Sequence, residues 1–336
     1  MKAQAFTLVE MMVAVVLASI VAAAATTATV AIYRSTVAME QSSYANEEGK
    51  VVIDSLITSV LQVGGGRVRP WSAVSNGCFV NASGTVTAVD GANCTGNGGT
   101  RLDFLDLEPK AKQLTLSTAA GTVTATSAEV ALIGGVCPLT PANGYPAGGV
   151  DVVVLPVEPA GGGWLARRCT PNVTTCTCAL AALTGASVDV SAASTRTLTG
   201  GLLVVGRAVS YSLDTATHTL IERRDIDGDG SVESRIVSDR VFDLRVQLGY
   251  DAAPEDGVMD GTWLTSLDTR SSALTTVPPQ TLRMARIGVV VGARVTNQAS
   301  KSPSASLFGN TPVMAPGFYL KNAESAVTMR NLLVFF

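Results

Sequence analysis

Four features have residue types and spacings that could carry chemistry. The first is the run Asp225-Ile226-Asp227-Gly228-Asp229-Gly230-Ser231-Val232-Glu233, which sets carboxylates on alternate residues ahead of a glycine turn. This is the opening of an EF-hand-like loop whose hard oxygen donors suit calcium. Asp225, Asp227, Asp229 and Glu233 are the candidate ligands. The twelfth position, where a bidentate glutamate belongs, is Ile236, and no helical pattern flanks the loop, so a complete EF-hand is not supported. Glu233 or the second acidic patch Asp251, Glu255, Asp256 and Asp260 would have to supply the missing donor. The same residues also make a Gly-rich hairpin tip whose charges simply face water, and the sequence leaves both readings open.

The second feature is a set of cysteines. Cys78, Cys94, Cys137, Cys169, Cys176 and Cys178 are even in number and form no Cys-x-x-Cys, and the chain has one histidine. This argues against zinc frameworks and for disulfides in an oxidising, extracytoplasmic setting. Each bridge would contribute about 2–4 kcal/mol to a region with few aromatic anchors. Cys78 with Cys94 is the one locally favoured pair, and the rest of the connectivity stays open. Nothing beside these thiols would depress a pKa and make them reactive. The third feature, His218, lies in a Thr-rich run that reads as an exposed strand, with nothing to orient it as a general base. Neither a Gly-x-Ser-x-Gly elbow nor a Gly-rich phosphate loop with lysine is present, so catalysis is not expected.

The fourth is Glu10, the one charged side chain between Phe6 and Tyr33. A carboxylate in hydrocarbon costs about 2.5–3.5 kcal/mol on insertion scales and marks a functional position unless its own chain supplies a partner. No cation stands near it in sequence. An α-amino group freed in front of Phe6 on a neighbouring chain would neutralise it when helices assemble. The uncharged run from Met11 to Tyr33 would extend about 35 Å as a helix, enough for a hydrocarbon core of roughly 30 Å. The short leader puts the N-terminus in the cytoplasm and the bulk of the chain outside.

Composition agrees with this division. Hydrophobic types make up 47% of the 336 residues and charged types 15%, with a mean hydropathy of +0.33, where an ordinary soluble domain is about one quarter charged. The excess apolarity sits at the start of the chain. A net charge of −3 and a pI near 5.3 give no basic field for nucleic acid.

Beyond the apolar run, Tyr33, Val37, Tyr44, Val52, Leu56 and Val60 recur on one helical face, with Asn46, Glu47, Glu48 and Lys50 on the other. Gly64-Gly65-Gly66 should end the helix, giving one rod from Phe6 to Val63, about 87 Å long. Further on, short alternating runs at 101–107 and 113–117, the more buried 151–155, and stronger runs at 202–213, 218–224, 241–250, 284–295 and 326–336 read as strands. No strand–helix alternation occurs, so an antiparallel sheet and an α+β class are expected.

Met1-Lys2-Ala3-Gln4-Ala5 followed by Phe6-Thr7-Leu8-Val9-Glu10 and its apolar helix resembles the class III leader and first helix of type IV pilins and type II secretion pseudopilins. The resemblance implies that a prepilin peptidase cuts between Ala5 and Phe6 and methylates Phe6, and that Glu10 serves filament assembly. The family has glycine before the cut, and Ala5 keeps a small side chain there. Glu47-Glu48 leading into Ile53-Asp54-Ser55-Leu56, the runs 239–251 and 286–294, and Met329-Arg330-Asn331 are similar to PilW-like minor pilins, whose general plan J-type pseudopilins share. The expected organisation is a leader (1–5), a transmembrane and assembly helix (6–33), an amphipathic half (34–63), a Cys-rich β region or insertion (64–200) and an antiparallel β domain (201–336). Such a protein would sit in the inner membrane and then in a surface pilus, with other minor pilins, the major pilin, a tip adhesin and the prepilin peptidase as partners. Two other readings remain. One is a secretion pseudopilin. The other is a secreted adhesive β-domain, since Met11–Val21 could be a signal h-region with Ala23-Ala24-Ala25 as its cleavage site.

Overall fold

The computed structural model describes residues 7–61, 74–80, 86–88, 94, 98–108, 114–116, 126–156, 164–190, 201–250, 263–264, 267–268, 282–295 and 304–328. One helix, α1, runs from Leu8 to Leu61 over 54 residues, about 81 Å at ~1.5 Å per residue. The expected ends at Phe6 and Val63, and the glycine run at 64–66, lie outside the described residues.

The two halves of α1 behave differently. Every side chain from residue 7 to residue 36 is exposed. Several hydroxyls there are satisfied internally: Ser19 donates to the Val16 carbonyl at 2.7 Å, and Thr26 and Thr29 donate to the carbonyls four residues back at 2.8 Å. Hydroxyls folded back onto the helix in this way suit a hydrocarbon environment. The second half is buried along Ala45, Gly49, Val52, Ile53, Leu56 and Val60. Tyr33 and Tyr44, expected on this face, are exposed instead, and the Arg240 guanidinium lies over the Tyr44 ring at 5.1 Å.

Ten longer strands follow: β1 (Arg101–Leu107), β2 (Val150–Pro156), β3 (Leu165–Asn172), β4 (Thr177–Ala182), β5 (Gly201–Asp214), β6 (Thr219–Arg224), β7 (Ser231–Ser238), β8 (Val241–Tyr250), β9 (Leu282–Arg294) and β10 (Phe318–Thr328). Their pairings with one another are all antiparallel. The large sheet runs β7-β6-β5-β2-β3-β4 with β1 on the other flank of β5, and a second sheet runs β8-β9-β10. The architecture is α+β and pilin-like, one long apolar helix against antiparallel-rich sheets.

β5 is the hinge of the topology. Gly201–Val205 pairs with β2, Gly206–Ser212 with β1, and Ser210–Asp214 with β6. Strands from the Cys-rich stretch and from the C-terminal stretch therefore share one sheet. The strand β10 covers Ala326–Thr328 of the expected closing run, and 329–336 lies outside the described residues.

Two cores sandwich β2 and the start of β5. Val153, Leu155 and Val204 point into the main core with Leu56 and Val60 of the helix, while Val152, Val154 and Leu203 point into a second core with Leu116, Leu139 and Tyr145. Burial on both faces is why Val152-Val153-Val154-Leu155 reads as a continuous apolar run rather than an alternating one. The Tyr145 hydroxyl donates to the Leu203 carbonyl at 3.2 Å, tying the second core to β5.

α1 docks on β9 and β10 through small residues. A side-chain carbon added at Gly49 would lie 3.1 Å from the Ala323 methyl carbon and 3.2 Å from a Val291 methyl. Gly49→Leu is therefore expected to lower the unfolding free energy by about 1–3 kcal/mol through overpacking, although leucine is the better helix former. Urea denaturation of the detergent-solubilised protein checks this, and an unchanged midpoint would contradict the close approach.

Arg101 and Asp103 lie on one face of β1, with Nε 2.6 Å from Oδ1 and side-chain exposures of 1% and 0%. Burial pushes the Asp103 carboxyl above the usual carboxylate range, with Arg101 acting in the opposite direction. His218 is not in a strand: it sits in the β5–β6 turn with φ of 57°, its ring 4.2 Å from that of Phe242. A four-residue turn between two strands has to reverse the chain, and the left-handed residue does so.

Candidate functional site

The first candidate site is the start of α1. Thr7 accepts from the Glu10 backbone N–H through Oγ1 at 3.3 Å, while Glu10 Oε2 accepts from the Thr7 N–H at 2.9 Å and the Thr7 hydroxyl at 3.0 Å. This is a reciprocal capping box. Glu10 thus has a neutral partner in its own chain, and the Thr-x-x-Glu signature for it is plain at Thr7-Leu8-Val9-Glu10. Its charge, however, still has no counter-ion among the described residues. Ala5 and Phe6 lie outside the described residues. The first half of the helix that follows is strongly apolar and exposed. It is long and apolar enough to cross a membrane.

All six cysteines are bridged: Cys78–Cys94, Cys137–Cys176 and Cys169–Cys178. The first is the locally favoured pair. The other two staple the 126–149 segment and the β3–β4 hairpin into the second core. Their Cα separations of 5.4 and 5.5 Å are ordinary for disulfides.

The second candidate site is the tip of the β6–β7 hairpin. One oxygen from each of Asp225, Asp227, Asp229 and Glu233 comes within 4.8 Å of the others. The fold brings all four sequence candidates together, and the patch 251–260 lies outside the described residues. Asp225 is 1% exposed and accepts from the N–H groups of Gly228 at 2.6 Å and Gly230 at 2.7 Å. Gly228 and Gly230 have φ of 78° and 94°, a region that glycine enters without strain. Glu233, across the hairpin, accepts from the Ile226 N–H at 2.8 Å.

Two arginines brace the tip from outside. Arg207 donates to the Ile226 carbonyl at 2.7 Å, and Arg168 donates to the Gly228 carbonyl. Both also approach Asp151 of β2, with Arg168 Nη1 3.4 Å from Oδ1 and Arg207 Nε 3.8 Å from Oδ2. Asp151 is 6% exposed and shares a hydrogen bond with the Asp225 carboxyl. Burial pushes its carboxyl up to about 7, and the facing Asp225 adds to the shift. For Asp225, burial acts upward but is outweighed by hydrogen bonds from Asp151, Gly230 and Gly228, which leave it below the usual range. Sequence reasoning missed Asp151, because nothing local connects a strand residue in a Val-rich run to a loop seventy-odd positions away.

A rod whose first half is exposed and apolar, opened by a capped glutamate and carrying a disulfide-stapled β head, defines the class of protein. Its first 26 residues match the prokaryotic N-terminal methylation motif, the prepilin signal of type IV pilin-like proteins. The motif and the helix support a type IV pilin or pseudopilin and fit an inner-membrane anchor and a pilus. No curated protein and no solved structure matches the chain.

Proposed function

We propose that this protein is a minor pilin of a type IV pilus, PilW-like in kind. It would prime assembly and stand at or near the tip with other minor pilins and an adhesin. The observation that carries this reading is the uncovered half of α1: an apolar helix exposed from residue 7 to residue 36 needs lipid before assembly and neighbouring helices after it. In this account the peptidase cuts between Ala5 and Phe6, and Phe6 is methylated. The head faces the periplasm and then the cell exterior. A head of this size with three buried apolar clusters does not have to repeat along a lattice if it occupies an end position.

Gene deletion with two readouts tests the proposal. Loss of surface pili with exoprotein export intact is the expected result. Loss of export with pili intact would make the protein a J-type pseudopilin instead. N-terminal sequencing of the mature protein should begin at Phe6, and a start at Thr26 would mean a secreted adhesive domain.

A further inference from the structure

We propose that the two turns at 132–136 and 172–177 form an apolar foot that inserts into a phospholipid bilayer other than the one that holds α1. Leu132, Ile133 and Val136 on the first turn and Val173 on the second are 57%, 61%, 68% and 53% exposed. Ile133 and Val136 exchange both backbone hydrogen bonds, at 3.0 and 3.1 Å, around Gly134 and Gly135, whose φ of 59° and 80° close a two-residue hairpin. A side-chain carbon added at either glycine would meet nothing within 4 Å, so this tip projects from the head. On the second turn Asn172 Oδ1 accepts from the N–H groups of Thr174 at 3.0 Å and Thr175 at 3.2 Å. The Cys137–Cys176 bridge, and the Val130 N–H donating to the Cys176 carbonyl at 3.0 Å, hold the two turns side by side.

Charge and area decide the occupant. No charged residue occurs in 130–150 or in 169–188, so the foot selects neither an acidic nor a basic partner, and its entry into hydrocarbon desolvates no charge. The hydrogen bonds within the turns act in the same direction, because unpaired backbone groups are costly in lipid. Four aliphatic side chains, each a little over half exposed, offer on the order of 200–300 Å² of apolar surface, against roughly 800 Å² on each side of a stable protein interface. So small a contact would not hold a second copy. A bilayer needs no complementary shape, and it takes up protruding aliphatic side chains as it takes up the apolar face of an interfacial helix. Thr174 and Thr175, exposed beside Val173, place hydroxyls where the headgroups would lie.

The anchor's own membrane is out of reach. From Tyr33, where the uncharged run ends, to Ser59 the helix rises about 39 Å, and Ser59 Oγ lies 3.0 Å from the Tyr211 hydroxyl on β5. The turns hang from β3 and β4, which join β5 through β2, so they travel with the head, whereas headgroups extend only about 5–8 Å past the hydrocarbon. A head held clear of its own membrane presents the foot to a facing one.

Flotation of the full-length protein, with α1 embedded in lipid nanodiscs, together with phosphatidylcholine vesicles tests this. The expected result is capture of the discs that is half-maximal near ~1 mM vesicle lipid, weaker than the ~0.1 mM of a single myristoyl chain, and indifferent to salt. Ile133→Ser combined with Val136→Ser should weaken capture at least ~10-fold, and Val173→Ser by a smaller factor. The variants change different turns, so misfolding of one leaves the other to decide. Escape of α1 from disc to vesicle would be the same in every protein, so equal capture of wild type and variants overturns the proposal. So does no capture of wild type up to about 10 mM lipid, well above the expected midpoint. Capture that needs anionic lipid or is abolished by salt would place the contact on arginines elsewhere in the head and overturn it as well. Discs that associate with one another without vesicles, and cease to do so in the double variant, would make a second copy the occupant instead. None of these outcomes depends on whether the chain enters a filament.

Discussion

Glu10→Leu is expected to reduce incorporation into surface filaments by about two orders of magnitude while leaving the protein folded and membrane-inserted. The carboxylate costs about 2.5–3.5 kcal/mol in hydrocarbon, and each 1.4 kcal/mol is about tenfold in an equilibrium. A subunit that keeps this charge is driven toward a neighbour able to neutralise it, and the leucine variant has no such drive. The capping box with Thr7 introduces a second contribution, because losing it costs about 1 kcal/mol of helix stability. Glu10→Gln separates the two. Glutamine preserves the reciprocal cap but carries no charge, so it should fail almost as badly as leucine. If the Gln variant assembles like wild type in quantitative immunoblots of sheared filaments, the glutamate serves as a helix cap and the intermolecular pairing is wrong.

Arg101→Met is expected to destabilise the head by about 3–5 kcal/mol at neutral pH, because it leaves Asp103 buried without its cation. The pH dependence gives the prediction a sign. A carboxyl whose folded-state pKa is raised favours the folded protein most below its unfolded value, and that advantage is lost as pH rises through the folded pKa. Asp103 is such a group, and removing Arg101 takes away the interaction that opposes the rise. The gap between wild type and variant should therefore narrow as pH falls and Asp103 becomes neutral in the variant. Urea denaturation of both proteins at several pH values measures it. A gap that widens toward acid would mean that Asp103 is not the group left exposed to the change.

The rod, the class of fold and most of the long strands were legible because each leaves a periodic apolar trace in the sequence. The contact face of α1 was only half legible. Ala45 and Gly49 are buried, yet small side chains carry little hydrophobic signal, and the bulkier Tyr33 and Tyr44 drew the predicted stripe toward solvent. The acidic loop was readable as a motif because its four carboxylates lie within nine residues. Asp151, Arg168 and Arg207 could not be read with it, since strand pairing across long separations brings them there. The pairing of Cys137 with Cys176, 39 residues apart, was hidden for the same reason, whereas Cys78 and Cys94 lie 16 apart.

The shared strand β5 also sets a timetable. Its first residues complete the pairing of β2 and its later ones that of β1, so β2 cannot finish before residue 205 has emerged and found its place, nor β1 before residue 212. Contacts of such long range form slowly. During that wait Cys137 and Cys176, 39 residues apart, are within reach of oxidants while β5, which completes the core around them, is missing. Correct bridging in this head is therefore a late event in maturation, and isomerase activity should limit its yield more than that of a head built from local hairpins.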